Sequence, residues 1–107
     1  MKRGEIVVVV IPGDGKPRPA VVVQSDIFNE NPASVIVCPL TTELLDAPVF
    51  RIPVTPGAES GLRERSEIMI DKIVSVRPHR LRDTIGRVDG DTLRRIDTAL
   101  AVFLGLA

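Results

Sequence analysis

The chain has 107 residues, 44% hydrophobic and 26% charged, with 14 Lys and Arg against 14 Asp and Glu, which fits one soluble globular domain over 1–107 and leaves no room for a second. One cysteine, Cys38, and one histidine, His79, exclude a disulfide framework and a four-ligand zinc site and make a cytoplasmic setting the expectation. Three aromatic residues, Phe28, Phe50 and Phe103, are too few for a base-stacking platform, so any binding of nucleic acid has to rest on charge and hydrogen bonds.

Fifteen Val and ten Ile, gathered in short clusters between Pro and Gly, predict a mainly β chain, because branching at Cβ suits a pleated backbone. Glu5 to Ile11 is the first predicted strand. The basic start Met1-Lys2-Arg3 imitates a secretion signal, but Glu5 interrupts it and the apolar run Ile6 to Ile11 is short. That run also falls far below the ~20 residues of a membrane-spanning helix, so no membrane association is expected. A loop rich in turn formers, Pro12 to Arg18, leads to a second strand, Pro19 to Gln24. Ser34 to Pro39 and Val49 to Val54 follow as strands around the polar segment Thr41 to Asp46, with Pro53 marking an edge or a strand end.

Pro56 to Glu64 reads as loop, and Ser66 to Ile70 and Lys72 to Val76 as strand material on either side of Asp71. Pro78 to Leu81 is a turn before a last strand, Thr84 to Val88. Leu93, Ile96, Leu100, Phe103 and Leu104 then recur at steps of three and four, which predicts one C-terminal helix with Asp89 or Asp91 as its N-cap. The fold expected is a small barrel-like, twisted antiparallel sheet of the α+β class with that helix packed on it. Cys38 sits inside an apolar strand and reads as a small buried hydrophobe.

Short catalytic motifs are absent. Gly13-x-Gly15-Lys16 opens no helix and so is not a phosphate loop. What remains is a set of polar residues at strand ends: Lys16 and Arg18 closing the first loop, Thr41 and Thr42 after the third strand, and Asp71 between two strands. In a small curled sheet such ends converge. Read on its own, Asp71 is equally a structural partner for Lys72 or for an arginine, and the group Arg77, Arg80, Arg82 and Arg87 is a basic flank or a solvated face.

The order of these pieces resembles the MazF/PemK family of toxin endoribonucleases. The resemblance is carried by Gly4-Glu5-Ile6, by Gly15-Lys16-Pro17-Arg18-Pro19-Ala20-Val21-Val22-Val23-Gln24-Ser25-Asp26 with Asn29, and by Pro39-Leu40-Thr41-Thr42. It continues through Ser66-x-Ile68-x-x-Asp71-Lys72-Ile73, Arg80-Leu81 before Ile85-Gly86, and the final helix. It implies a homodimer that cuts single-stranded RNA at short sequences without a metal or other cofactor, and that a cognate antitoxin peptide neutralises. It places catalysis on Arg18, Thr41 and Asp71, and RNA binding on Lys16, Pro17, Thr42, Arg80 and Arg82. Two departures stand out. A second arginine that some members carry two residues before the aspartate falls on Met69, and the Gly-Ser-Glu-Gln segment of many first loops is missing.

These residue types suit metal-free RNA cleavage, in which a ribose 2′-hydroxyl attacks the neighbouring phosphate. Arginine offers fixed charge and a planar donor fork to the phosphoryl oxygens, and a threonine hydroxyl can orient the attacking group. The competing expectation is a non-catalytic binding protein on the same fold, a gyrase-poisoning toxin or a regulator, because a fold alone does not fix an activity.

Overall fold

The computed structural model describes residues 1–13 and 15–107; Asp14, within the expected first loop, lies outside the described residues. Seven strands form in chain order: β1 (Glu5–Val10), β2 (Pro17–Val22), β3 (Val35–Thr41), β4 (Arg51–Val54), β5 (Ser66–Met69), β6 (Val74–Val76) and β7 (Leu81–Arg87), followed by one helix, α1 (Gly90–Phe103). The sheet runs β4-β5-β3-β2-β1-β7, and β6 also pairs with β3. Every pairing is antiparallel. The expected antiparallel sheet with a terminal helix is therefore present, but the barrel is not closed: among the described residues β4 and β7 are the two ends of the path. Pro53 sits on the end strand β4, where a missing N–H costs least.

The central strands are apolar on both faces, which is why they read as unbroken Val and Ile runs with little alternation. Successive side chains go to opposite sides. Ile6, Val21, Cys38 and Leu40 enter a core shared with Ile52, Ile68 and Ile70, and α1 covers it with Ile96 and Ala99. Val7, Val9, Ala20, Val22, Val35, Val37 and Val76 form a second core on the other side, flanked by Ile11, Val74 and Leu81. Cys38 is fully buried, and that burial pushes its thiol up to about 12, so it acts as packing and not as a nucleophile. At the start of α1 the Asp89 carboxylate accepts from the Thr92 N–H at 2.8 Å, settling the cap on the first of the two expected aspartates.

Two interruptions shape the molecule. Moving three residues back along β3, from Leu40 to Val37, takes the partner six residues forward, from Ile68 to Val74. The extra residues form a 3₁₀ turn, Ile70–Lys72, that leaves the ladder and divides what would be one long strand. The second is the loop 55–65, which lies on β7. A Cβ at Gly61, whose φ is +73°, would stand 1.9 Å from the Ile85 carbonyl oxygen, and one at Gly86 would stand 2.2 Å from the Ser60 carbonyl oxygen. Only glycine permits that mutual approach.

Candidate active site

β2 and β3 pair with Ala20 opposite Pro39. Two residues farther out on each strand come Arg18 and Thr41, and a step of two keeps each on the face of the residue before it. That face belongs to the second, valine-rich core. The core ends in an open cleft of about 500 Å³ lined by Ile11, Arg18, Pro39, Glu43, Met69, Lys72, Ile73 and Val74. Arg18 is half-buried with its Nε out of solvent contact. Thr41 ends β3 and is not among the residues that line the cleft. Its hydroxyl accepts from the Glu43 N–H at 3.1 Å, turning the chain so that Glu43 reaches the cleft.

Asp71 stands apart from these two. Both of its oxygens engage Arg51 of β4, Oδ1 with Nε at 2.9 Å and Oδ2 with Nη2 at 3.1 Å. Of the two structural partners open to it in the sequence, the arginine is the one it takes. The Arg51 hydrogen bonds, with the charge behind them, hold the Asp71 carboxyl below its ordinary value, while partial burial works the other way. Arg51 also lies 5.8 Å from the Phe50 ring centre, at the outer limit of a cation–π contact. Asp71 is not among the residues that line the cleft; its neighbour Lys72 is.

The residues expected to bind RNA are spread more widely. Lys16 and Pro17 are exposed at the mouth of the first loop, Pro17 opposite Val10. Thr42 turns to a neighbouring depression shared with Pro19, Arg63, Glu64, Ser66 and Ile85. Arg80 and Arg82 lie at the entry to β7, where Arg82 Nη1 donates to the His79 carbonyl oxygen at 2.7 Å. Neither arginine lines the cleft.

Three residues escaped sequence reasoning. Glu67 is buried on β5 directly opposite Thr41, and its carboxylate accepts from the Leu45 and Asp46 N–H groups at 2.8 and 3.3 Å, pinning the loop that follows β3. An acid inside the apolar run Ser66 to Ile70 was the available signal. Arg51 carried none, because what makes it matter is a partner twenty residues away, and Lys72, named only as a neighbour of Asp71, owes its place to a wall built by other strands. No group of three or more His, Cys, Asp or Glu side chains placed to hold a metal ion occurs among the described residues.

An open antiparallel sheet with one covering helix, whose second core ends in a cleft lined by Arg18, Lys72 and Glu43 among its described residues, defines a small β protein with a charged cleft at one edge of the core. Residues 2–104 match the family described as PemK-like, MazF-like toxin of type II toxin-antitoxin system, and the chain belongs to that family. It is 42% identical over 109 residues to a protein of Mycolicibacterium smegmatis named as a probable endoribonuclease MazF, covering all of this chain and 99% of that one. Endoribonuclease EndoA of Bacillus subtilis is 28% identical over 111 residues, covering 99% of this chain and 96% of that one. Among solved structures, a mycobacterial endoribonuclease in complex with its cognate antitoxin superposes with a TM-score of 0.81 at 27% identity, over 100% of this chain and 97% of that one. Mycobacterium tuberculosis toxin MazF-mt6 shares the fold with a TM-score of 0.84 at 19% identity, over 96% and 98%.

Proposed function

We propose that this protein is a metal-independent endoribonuclease toxin of the cytoplasm that cuts single-stranded RNA, mRNA above all, by attack of a ribose 2′-hydroxyl. It acts as a homodimer and is neutralised by a cognate antitoxin. Relatives named as endoribonucleases and a relative solved with its antitoxin support the class of activity and of partner. The observation that carries the chemistry is Arg18 on the cleft wall, with Arg18 and Thr41 each two residues beyond the Ala20–Pro39 pair of β2 and β3 and on the face of that pair.

In this reading Arg18 holds the phosphoryl oxygens through its donor fork, and its charge gains most as negative charge grows there in the transition state. Thr41 orients the 2′-hydroxyl. The 2′-oxygen forms a bond to phosphorus while the bond to the 5′-oxygen breaks; the proton lost from the 2′-hydroxyl is balanced by one gained at the leaving oxygen. The products are a 2′,3′-cyclic phosphate and a 5′-hydroxyl. Asp71, locked to Arg51, contributes by holding structure and not as a base: a carboxylate whose proton affinity is lowered accepts a proton poorly. Lys16 and Pro17, at the exposed end of the first loop beside Arg18, meet the strand first, Thr42 contributes from its separate depression, and Arg80 and Arg82 add distant positive charge. The homodimer finds support in the apolar end of the chain, where Val102, Phe103, Leu104 and Leu106 are all exposed.

The direct test is incubation of a long single-stranded RNA with purified protein in chelator, with both new ends mapped. Cleavage that leaves cyclic phosphate or 3′-phosphate and 5′-hydroxyl is expected; a strict magnesium requirement or 5′-phosphate ends would overturn the mechanism.

A further inference from the structure

Met69 of β5 stands directly opposite Arg51 of β4, so the two side chains share one face of that strand pair. Met69 reaches the cleft wall without charge. Arg51 turns instead to Asp71, and the two parallel hydrogen bonds between them fix both position and orientation, as bidentate pairs do. Asp71 is the middle residue of the 3₁₀ turn Ile70–Lys72. That turn is held from the same side a second time, since the Ile70 N–H donates to the Phe50 carbonyl oxygen at 3.0 Å. The residue after Asp71 is Lys72, exposed, on the same cleft as Arg18. Phe50 and Arg51, at the start of β4, thus grip the turn by its first two residues, and the third lines the cleft.

We infer that Lys72 is a second phosphate-binding cation of the cleft, and that Arg51 is a positioning residue which aims it by clamping Asp71. The inference rests on the RNA-cleaving reading above and deepens it. Arg18 and Lys72 come from different sheet regions and line one cleft, so they are placed to take successive phosphates of a strand, or two oxygens of one. Lysine suits the more exposed of the two positions, acting as a point charge on a flexible stem, while the half-buried fork of Arg18 fixes geometry. The clamp limits where that stem can start. Among the described residues that line the cleft Glu43 is the one acid, set against the two cations Arg18 and Lys72.

The experiment measures binding of a single-stranded oligonucleotide with 2′-O-methyl riboses, which cannot be cleaved, across a salt series, together with steady-state cleavage of the matching RNA. Lys72→Met is expected to raise KM about tenfold with a smaller change in kcat, and to flatten the plot of log affinity against log salt by about 0.7, the value of one phosphate contact on a single strand. Lys72→Arg should keep the parental slope. Arg51→Met should weaken binding in the parent but add nothing in a Lys72→Met background, since the two residues then act through one contact. Arg51→Lys, which can reach only one Asp71 oxygen, should fall between and serves if Arg51→Met does not fold. A parental salt slope and KM in Lys72→Met would overturn the role of Lys72, and equal losses from Arg51→Met in both backgrounds would overturn the clamp. Because the parent is assayed beside them, a parent that fails to cut RNA counts against the reading of function, whereas a cutting parent with an indifferent Lys72 counts against this inference alone.

Discussion

Strand β2 ends in two different ways. Beyond its C-terminal end the polar residues Gln24, Asp26 and Asn29 spend their hydrogen bonds on the protein itself. Gln24 Nε2 donates toward the Phe28 and Ser34 carbonyl oxygens and Asn29 Oδ1, its Oε1 accepts from the Ile36 N–H, and Asn29 Nδ2 donates to the Gln24 carbonyl oxygen and to Asp26. The carboxylate of Asp26 also receives the Arg3 N–H at 2.7 Å, and Arg3 reaches on to Asp97 of α1. At the N-terminal end of the strand, Arg18 lines an open cleft with Lys72 facing it. Both ends belong to the same resembling block of sequence. One end builds the fold, and the other opens on a cleft. Residue type does not separate the two roles; what does is whether the neighbouring backbone closes around the side chain or leaves a cleft beside it.

Substitutions at the two ends should therefore fail in different assays. The largest effect is expected at the open end. Arg18→Ala should slow RNA cleavage by about 100-fold or more, the usual cost of one preorganised donor to a developing oxyanion, with RNA affinity much less affected. Lysine should rescue poorly for want of the planar fork. Thr41→Val, which keeps the shape and removes the hydroxyl, should slow cleavage with the fold intact. An Arg18→Ala, Thr41→Val double variant that folds, cleaves like the parent and still arrests growth would defeat the assignment.

The closed end should show the reverse. Gln24→Ala removes a half-buried amide serving several backbone groups and should cost about 1 to 3 kcal/mol, read as a fall in the thermal midpoint. The rate per folded molecule should stay within about twofold of the parent. A variant with parental stability and lost cleavage would place Gln24 in the site and erase the contrast.

How much of this was legible before folding follows the same division. The strands of the two cores and the terminal helix were readable, because paired Val and Ile clusters and a three-to-four-residue apolar step are local signals. The last strand begins at Leu81, three residues before the expected Thr84, since Arg82 and Asp83 are exposed on it and carry no apolar pattern. The 3₁₀ turn Asp26–Phe28 was unreadable too: it is fixed by the Arg3, Gln24 and Asn29 contacts and buries none of its own residues. Of the candidate site, Arg18 and Thr41 were proposed from the order of motifs, and pairing of Asp71 with an arginine stood as one of two structural options. Which arginine was out of reach. Arg51 meets Asp71 only because β4 pairs with β5 at Met69, a relation between segments that neither contains.

The smallest effect is expected at the Arg51–Asp71 pair, between the two ends, and its signature is its dependence on pH. The Asp71 carboxyl is held below its ordinary value in the folded protein, chiefly by the Arg51 hydrogen bonds. A group lowered in this way stabilises the fold fully above its unfolded value, near 3.9, and that contribution is lost as pH falls through the folded value. Asp71 is a quarter exposed and Arg51 about a tenth, so solvent screening keeps the contribution modest, about 1 to 2 kcal/mol. Asp71→Asn should thus melt a few degrees below the parent at pH 7. The gap should narrow below about pH 4, where the parent protonates and loses the same interaction. Urea midpoints of the two proteins between pH 2.5 and 7 provide the measurement. A difference that stays constant across that range would mean that packing around the 3₁₀ turn, and not the charge pair, holds it against β4.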